Sequence, residues 1–171
     1  MDNRNIVLIG MPGCGKSTCG VLLSKLACKD FVDTDLIIQQ REGRRLQQII
    51  NENGPEFFAS LEDRIVSSLG FENTVVATGG SVACHENAMK NLARNSVIVY
   101  MKISYEVMSA RITNKDSRGI LLREGESLRD MYDFRCPLYE KYAEITVDCG
   151  EGTLEENVDK ILKEYKKTVE K

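Results

Sequence analysis

Short apolar runs punctuate the chain at Asn5–Ile9, Asp30–Val32, Thr74–Ala77, Ser96–Met101 and Glu144–Asp148. Helix-length segments separate them. That alternation predicts an α/β fold: a five-stranded parallel sheet with helices on both faces, in three layers. The helical segments include Cys19–Cys28, Leu36–Arg41 and Ser104–Ile112. Arg44–Ala59 carries Leu46, Ile49, Ile50, Phe57 and Phe58 at helical spacing, interrupted by Asn53-Gly54-Pro55, which predicts two short helices and a turn. Phe57 and Phe58 are read either as core or as an aromatic wall; Glu62, Asp63 and Arg64 are read as a solvated face. Asp130–Ala143 contains Pro137, which implies a kink or a first-turn position. Thr153 with Glu156 has the spacing of a capping box, and Lys166–Lys171 reads as a frayed tail.

Parallel sheets of this kind place ligands beyond the carboxyl ends of their strands. The chemistry-bearing residues fall there. After the first run stands Gly10-Met11-Pro12-Gly13-Cys14-Gly15-Lys16-Ser17-Thr18, the G-x-x-x-x-G-K-S phosphate loop. Glycines let successive backbone N–H groups turn toward one anionic chain, and the following helix adds its positive end. Gly13, Cys14, Gly15, Lys16, Ser17 and Thr18 are therefore expected to bind ATP. Lys16 reaches the β- and γ-phosphates, and the Ser17 hydroxyl is a ligand for Mg²⁺.

Asp33-Thr34-Asp35 closes the second run. Asp35 suits a helix cap, but two carboxylates one residue apart in extended backbone face one way. One is then expected near the metal's water shell and the other at a substrate hydroxyl. Gly79 and Gly80, after the third run, offer N–H groups with no side chain in the way. His85 is read as an exposed or capping histidine without a catalytic role. The polar stretch from Thr113 reads as a lid, about residues 113–124, with Arg118 able to swing onto the phosphates. Arg111 suits stacking on adenine, and Arg135 suits an anionic substrate.

Composition sets limits. The chain has 171 residues, the size of one domain spanning 1–171, with 42% hydrophobic and 29% charged residues. A net charge of −3 argues against a general nucleic-acid binder. No apolar segment reaches the ~20 residues of a membrane span, and no signal peptide precedes the first run. Six cysteines without a C-x-x-C pair, and one histidine, fit reduced thiols in a cytoplasmic protein better than a zinc site. A monomer acting on a small molecule is expected.

Taken together, the phosphate loop, Phe31–Asp35, Phe58–Glu62, Thr78-Gly79-Gly80, Arg118–Leu122 and Arg135–Tyr139 resemble the shikimate kinases, a branch of the nucleoside-monophosphate-kinase-like P-loop proteins. The resemblance implies transfer of the γ-phosphoryl of ATP to the 3-hydroxyl of shikimate, with Mg²⁺. It implies Asp35 at the shikimate hydroxyls, aiding proton removal, and Asp33 near Mg²⁺. It also implies Gly79 and Gly80 at the substrate, Arg118 on the phosphates, Arg135 at the shikimate carboxylate and Arg111 flanking adenine. Lys16, Asp35 and Arg118 would carry the catalysis.

Three positions depart from the family pattern. Ala59 stands where the family has a carboxylate-binding arginine, Ser81 replaces a third glycine, and Gly119 follows Arg118 where proline is usual. Losing one charge-assisted hydrogen bond predicts roughly 10- to 100-fold weaker shikimate binding unless another group substitutes, and Arg64 is poorly placed to do so. Kinase activity on another small polyol, or a non-catalytic nucleotide-binding role, are the competing readings.

Overall fold

A computed structural model describes residues 3–112 and 120–170. Five strands form one all-parallel sheet: β1 (Asn5–Ile9), β2 (Asp30–Asp33), β3 (Thr74–Ala77), β4 (Ser96–Lys102) and β5 (Ile145–Asp148). Their spatial order is β2-β3-β1-β4-β5. β1 lies in the middle, with Leu8 opposite Ala77 on one side and Val99 on the other. All five of its residues are buried, as a strand covered on both faces must be. Each buried Ile, Val or Leu contributes roughly 1.5–3 kcal/mol.

The helices are α1 (Lys16–Ala27), α2 (Thr34–Glu42), α3 (Leu46–Asn53), α4 (Pro55–Ser67), α5 (Glu86–Leu92), α6 (Tyr105–Arg111), α7 (Leu128–Tyr142) and α8 (Leu154–Val169). The three-layer α/β/α arrangement expected from the sequence is thus present. Gly54 ends α3 and Pro55 opens α4, so the predicted turn separates them.

Two apolar clusters form. The larger joins the sheet to α1, α5, α7 and α8. The smaller, comprising Ile38, Leu46, Ile49, Phe58, Leu61 and Ile65, holds α2, α3 and α4 together beside the sheet. Phe58 is core and its neighbour Phe57 is exposed, which resolves that pair.

Of the two positions open to Pro137, the first turn is excluded: it sits in the interior of α7, because the Ser127–Asp130 capping box starts the helix at Leu128. Two local expectations need correction. The supposed frayed tail is helical to Val169, where Tyr165 is buried and the partly buried Val169 packs against the larger cluster. Glu62 and Asp63 are not a solvated face. Glu62 is buried, and Asp63 Oδ1 accepts the Ala88 N–H at 3.0 Å, tying α4 to α5. All six cysteines are free thiols, with Cys28 exposed.

Candidate active site

The phosphate loop leaves the end of β1 and enters α1. Gly15, the residue that caps α1, has a left-handed backbone (φ 95°), and a side chain there would meet nothing within 4 Å. The loop therefore stays bare above the helix start, where the N–H groups of Lys16, Ser17 and Thr18 have no intrahelical partner. Lys16 is buried, and its Nζ donates to the carbonyls of Gly10 at 2.7 Å and Met11 at 2.9 Å. Arg111 binds the loop from the far side, donating to the carbonyls of Gly13 and Gly150 at 3.3 Å each. It thus bridges the loop to the turn after β5.

Cys14, expected in the ATP-binding set, is engaged within the loop itself. Its N–H closes a turn onto the Met11 carbonyl at 3.2 Å, and its thiol is buried beneath the loop. The residue shapes the loop from within.

Asp33 performs two tasks. Its Oδ1 accepts the N–H groups of Asp35 at 2.9 Å and Leu36 at 3.4 Å, capping α2, while Oδ2 accepts the Ser17 hydroxyl at 2.6 Å. The cap is therefore Asp33, and α2 begins two residues before the predicted Leu36. Ser17 and Asp33 together form the oxygen pair expected beside Mg²⁺, a cation that takes few protein ligands and completes its shell with phosphate and water. The donor set fits that ion.

Capping by Asp33 frees Asp35. Its carboxylate lines a cavity of about 320 Å³ with Lys16, Ser17, Gly80 and Arg135. Oδ1 is buried and has no hydrogen-bond partner among the described residues. Burial, reinforced by the negative charges of Glu62 and Asp33 and opposed by Lys16, pushes its pKa up to about 7. A carboxylate near neutrality is suited to taking a proton.

The glycine pair divides its labour. The Gly79 N–H donates to Thr34 Oγ1 at 3.1 Å. What Gly79 supplies is room: a Cβ there would sit 2.6 Å from Asp35 Oδ1 and 2.7 Å from Glu62 Oε1. The Gly80 carbonyl accepts the Tyr139 hydroxyl at 2.6 Å, which ties the glycine turn to α7, and Gly80 itself lines the cavity.

Glu62 is the functional candidate that the sequence reading missed. Its Oε2 accepts the Ser81 hydroxyl at 2.6 Å and lies 2.9 Å from His85 Nε2, while the buried Oε1 has no partner among the described residues. The detectable signal was its spacing. Phe58, Leu61, Glu62 and Ile65 share one face of α4, so the acid lies on the apolar stripe. His85 is correspondingly neither exposed nor a side-chain cap; its ring is turned onto Glu62.

A second cavity of about 590 Å³ adjoins the first, sharing Ser81, Leu121 and Arg135. Ala59, Arg123 and Phe134 also line it. Arg135 is buried, and its Nη2 donates to the Leu121 carbonyl at 2.6 Å. Arg118 lies outside the described residues, as does most of the expected lid; Ile120–Glu124 are described and carry no helix or strand.

Comparison with known proteins agrees with this geometry. The family model for shikimate kinase matches residues 12–166. A shikimate kinase of Thermodesulfovibrio yellowstonii is 34% identical over 167 residues, covering 96% of each chain. One of Clostridium botulinum (strain Okra) is 36% identical over 168 residues, covering 96% of this chain and 97% of its own. Among solved structures, the Acinetobacter baumannii shikimate kinase in complex with shikimate aligns with a TM-score of 0.86 at 28% identity, covering 96% of this chain and 94% of its own. The Aquifex aeolicus enzyme gives 0.81 at 32% identity, covering 96% and 98%. The chain therefore belongs to the shikimate kinase family, phosphotransferases that use ATP with Mg²⁺.

Proposed function

We propose that this protein transfers the γ-phosphoryl group of ATP to the 3-hydroxyl of shikimate. The observation that carries the reading is Asp35: a buried carboxylate with an unpartnered oxygen, in one cavity with the phosphate-loop lysine. Bound Mg-ATP supplies the phosphoryl group and the metal's positive charge. The N–H groups at the start of α1 hold the phosphates, and Lys16 exchanges its loop carbonyls for phosphate oxygens. Ser17 and Asp33 face the metal. Asp35 orients the acceptor hydroxyl and accepts its proton as the oxygen bonds to phosphorus and the bond to ADP breaks. Arg135 binds the acceptor carboxylate, with Gly80 close beside it. Arg111 flanks the adenine, and Arg118, from the lid, neutralises charge on the transferring group.

In the same reading, residues 1–171 form one domain, with the acceptor wall built by α2, α3 and α4. The protein works as a cytoplasmic monomer on a small molecule, without nucleic-acid or membrane partners. None of the described helices is long and apolar enough to cross a membrane.

Coupled ADP release is the direct test. Saturable turnover must depend on both Mg-ATP and shikimate, and must stop when EDTA removes the metal. ATP consumption that responds to another hydroxy acid but not to shikimate would overturn the acceptor assignment.

A further inference from the structure

The larger cavity has an asymmetry in its walls. On α4 the side chain facing it at position 59 is a methyl group, while the opposite lining carries Arg123 and Arg135. These are its only permanent cations among the described residues, and Glu56, Glu124 and Glu126 line it too. An anionic group entering finds permanent positive charge only at these two guanidiniums among the described lining residues.

The two arginines are placed by one short stretch of α7. Arg135 holds the Leu121 carbonyl, which anchors the segment two residues before Arg123. The Arg123 guanidinium then lies over the ring of Phe134, its carbon 4.7 Å from the centroid, and Phe134 precedes Arg135 in the chain. Stacking uses the face of a guanidinium and leaves its N–H edge free. Among the described residues Arg123 makes no side-chain hydrogen bond or ion pair; only its backbone is bonded, the N–H donating to Glu126 Oε2 at 2.9 Å and the carbonyl accepting the Glu126 N–H at 3.0 Å. Its guanidinium is an exposed, oriented donor set on the cavity lining.

We propose that Arg123 binds the acceptor's carboxylate together with Arg135, supplying from the end of the lid segment the second guanidinium that α4 lacks at Ala59. The inference rests on the acceptor reading above and makes Arg123 a specificity-determining residue for carboxylated acceptors. Phe134 is its support.

The test compares shikimate with its methyl ester as acceptor. In Arg123→Ala the KM for shikimate should rise about tenfold or more, the loss of one charge-assisted hydrogen bond. The KM for ATP should stay within about twofold, and the KM for the ester should not move. Arg123→Lys, which keeps charge but not the fork, should fall between. Adding Ala59→Arg to Arg123→Ala should recover affinity for the acid. Circular dichroism confirms that each variant folds. An unchanged KM for shikimate, or equal rises for acid and ester, overturns the role of Arg123. Absence of shikimate turnover in the unaltered protein is a different result, and overturns the acceptor reading and this inference with it.

Discussion

Asp35 illustrates how one side chain can be costly to the fold and valuable to the site. Its neighbour Asp33 takes the helix cap, which leaves the Asp35 carboxylate buried between Gly79 and Glu62 with Oδ1 unpartnered. Burial raises its pKa from 3.8 to about 7, so the folded chain retains a proton that the unfolded chain has already released. Stability therefore falls as pH rises through that window, because the native state binds more protons there than the unfolded state. Asp35→Asn cannot lose a proton and escapes the penalty. In ligand-free, metal-free protein, its melting temperature should exceed that of the unaltered chain at pH 8, by a margin that shrinks as pH falls below about 7 and closes only near 3.8. Turnover should drop by about a hundredfold or more, the usual loss on removing a general base. Equal melting temperatures at pH 8 would show that the carboxylate is not penalised by its surroundings.

At the level of elements, the apolar runs anticipated every strand to within one residue at its ends; the inner strands β1, β3 and β4 are covered on both faces and so nearly continuously apolar, while β5 at the edge shows only alternating burial. The phosphate loop was equally legible, since its glycines and lysine are dictated by the ligand. What escaped reading depended on partners distant in the chain. Glu62 looked like surface until Ser81 and His85, 19 and 23 residues away, were seen to close on it. The Gly79 N–H is taken by Thr34, 45 residues earlier, a pairing that no local pattern announces. The capping box at Thr153 was visible, and both of its hydrogen bonds form, at 2.8 and 3.2 Å. Through it α8 is held from its first turn against α1 and the sheet. Thr153→Ala should cost about 1 kcal/mol, read as a melting temperature lower by roughly 2–4 °C. The KM for ATP should be unaffected, since α8 supplies no group to the phosphate loop. A large rise in that KM would mean that α8 sets the loop's shape.

Across the whole molecule, the site is assembled from segments that share no helix. The ends of β1, β2 and β3 bring the phosphate loop, the aspartates and the glycine turn to one edge of the sheet, and α7 closes over them through Tyr139 and Arg135. Arg135 belongs to both cavities at once. A wall common to two rooms transmits what happens in either. In the proposed reading, an acceptor carboxylate on Arg135 borders the nucleotide site as well, so the two ligands share one cationic wall. Binding of Mg-ADP should thus tighten when shikimate is present, and by linkage shikimate should gain by the same factor. Arg135→Ala should bring that factor toward one, and two fully independent affinities in the unaltered protein would contradict the arrangement. Seen this way, the guanidinium is a party wall: the enzyme can sense that both occupants are home before any bond is broken, without a separate device for asking.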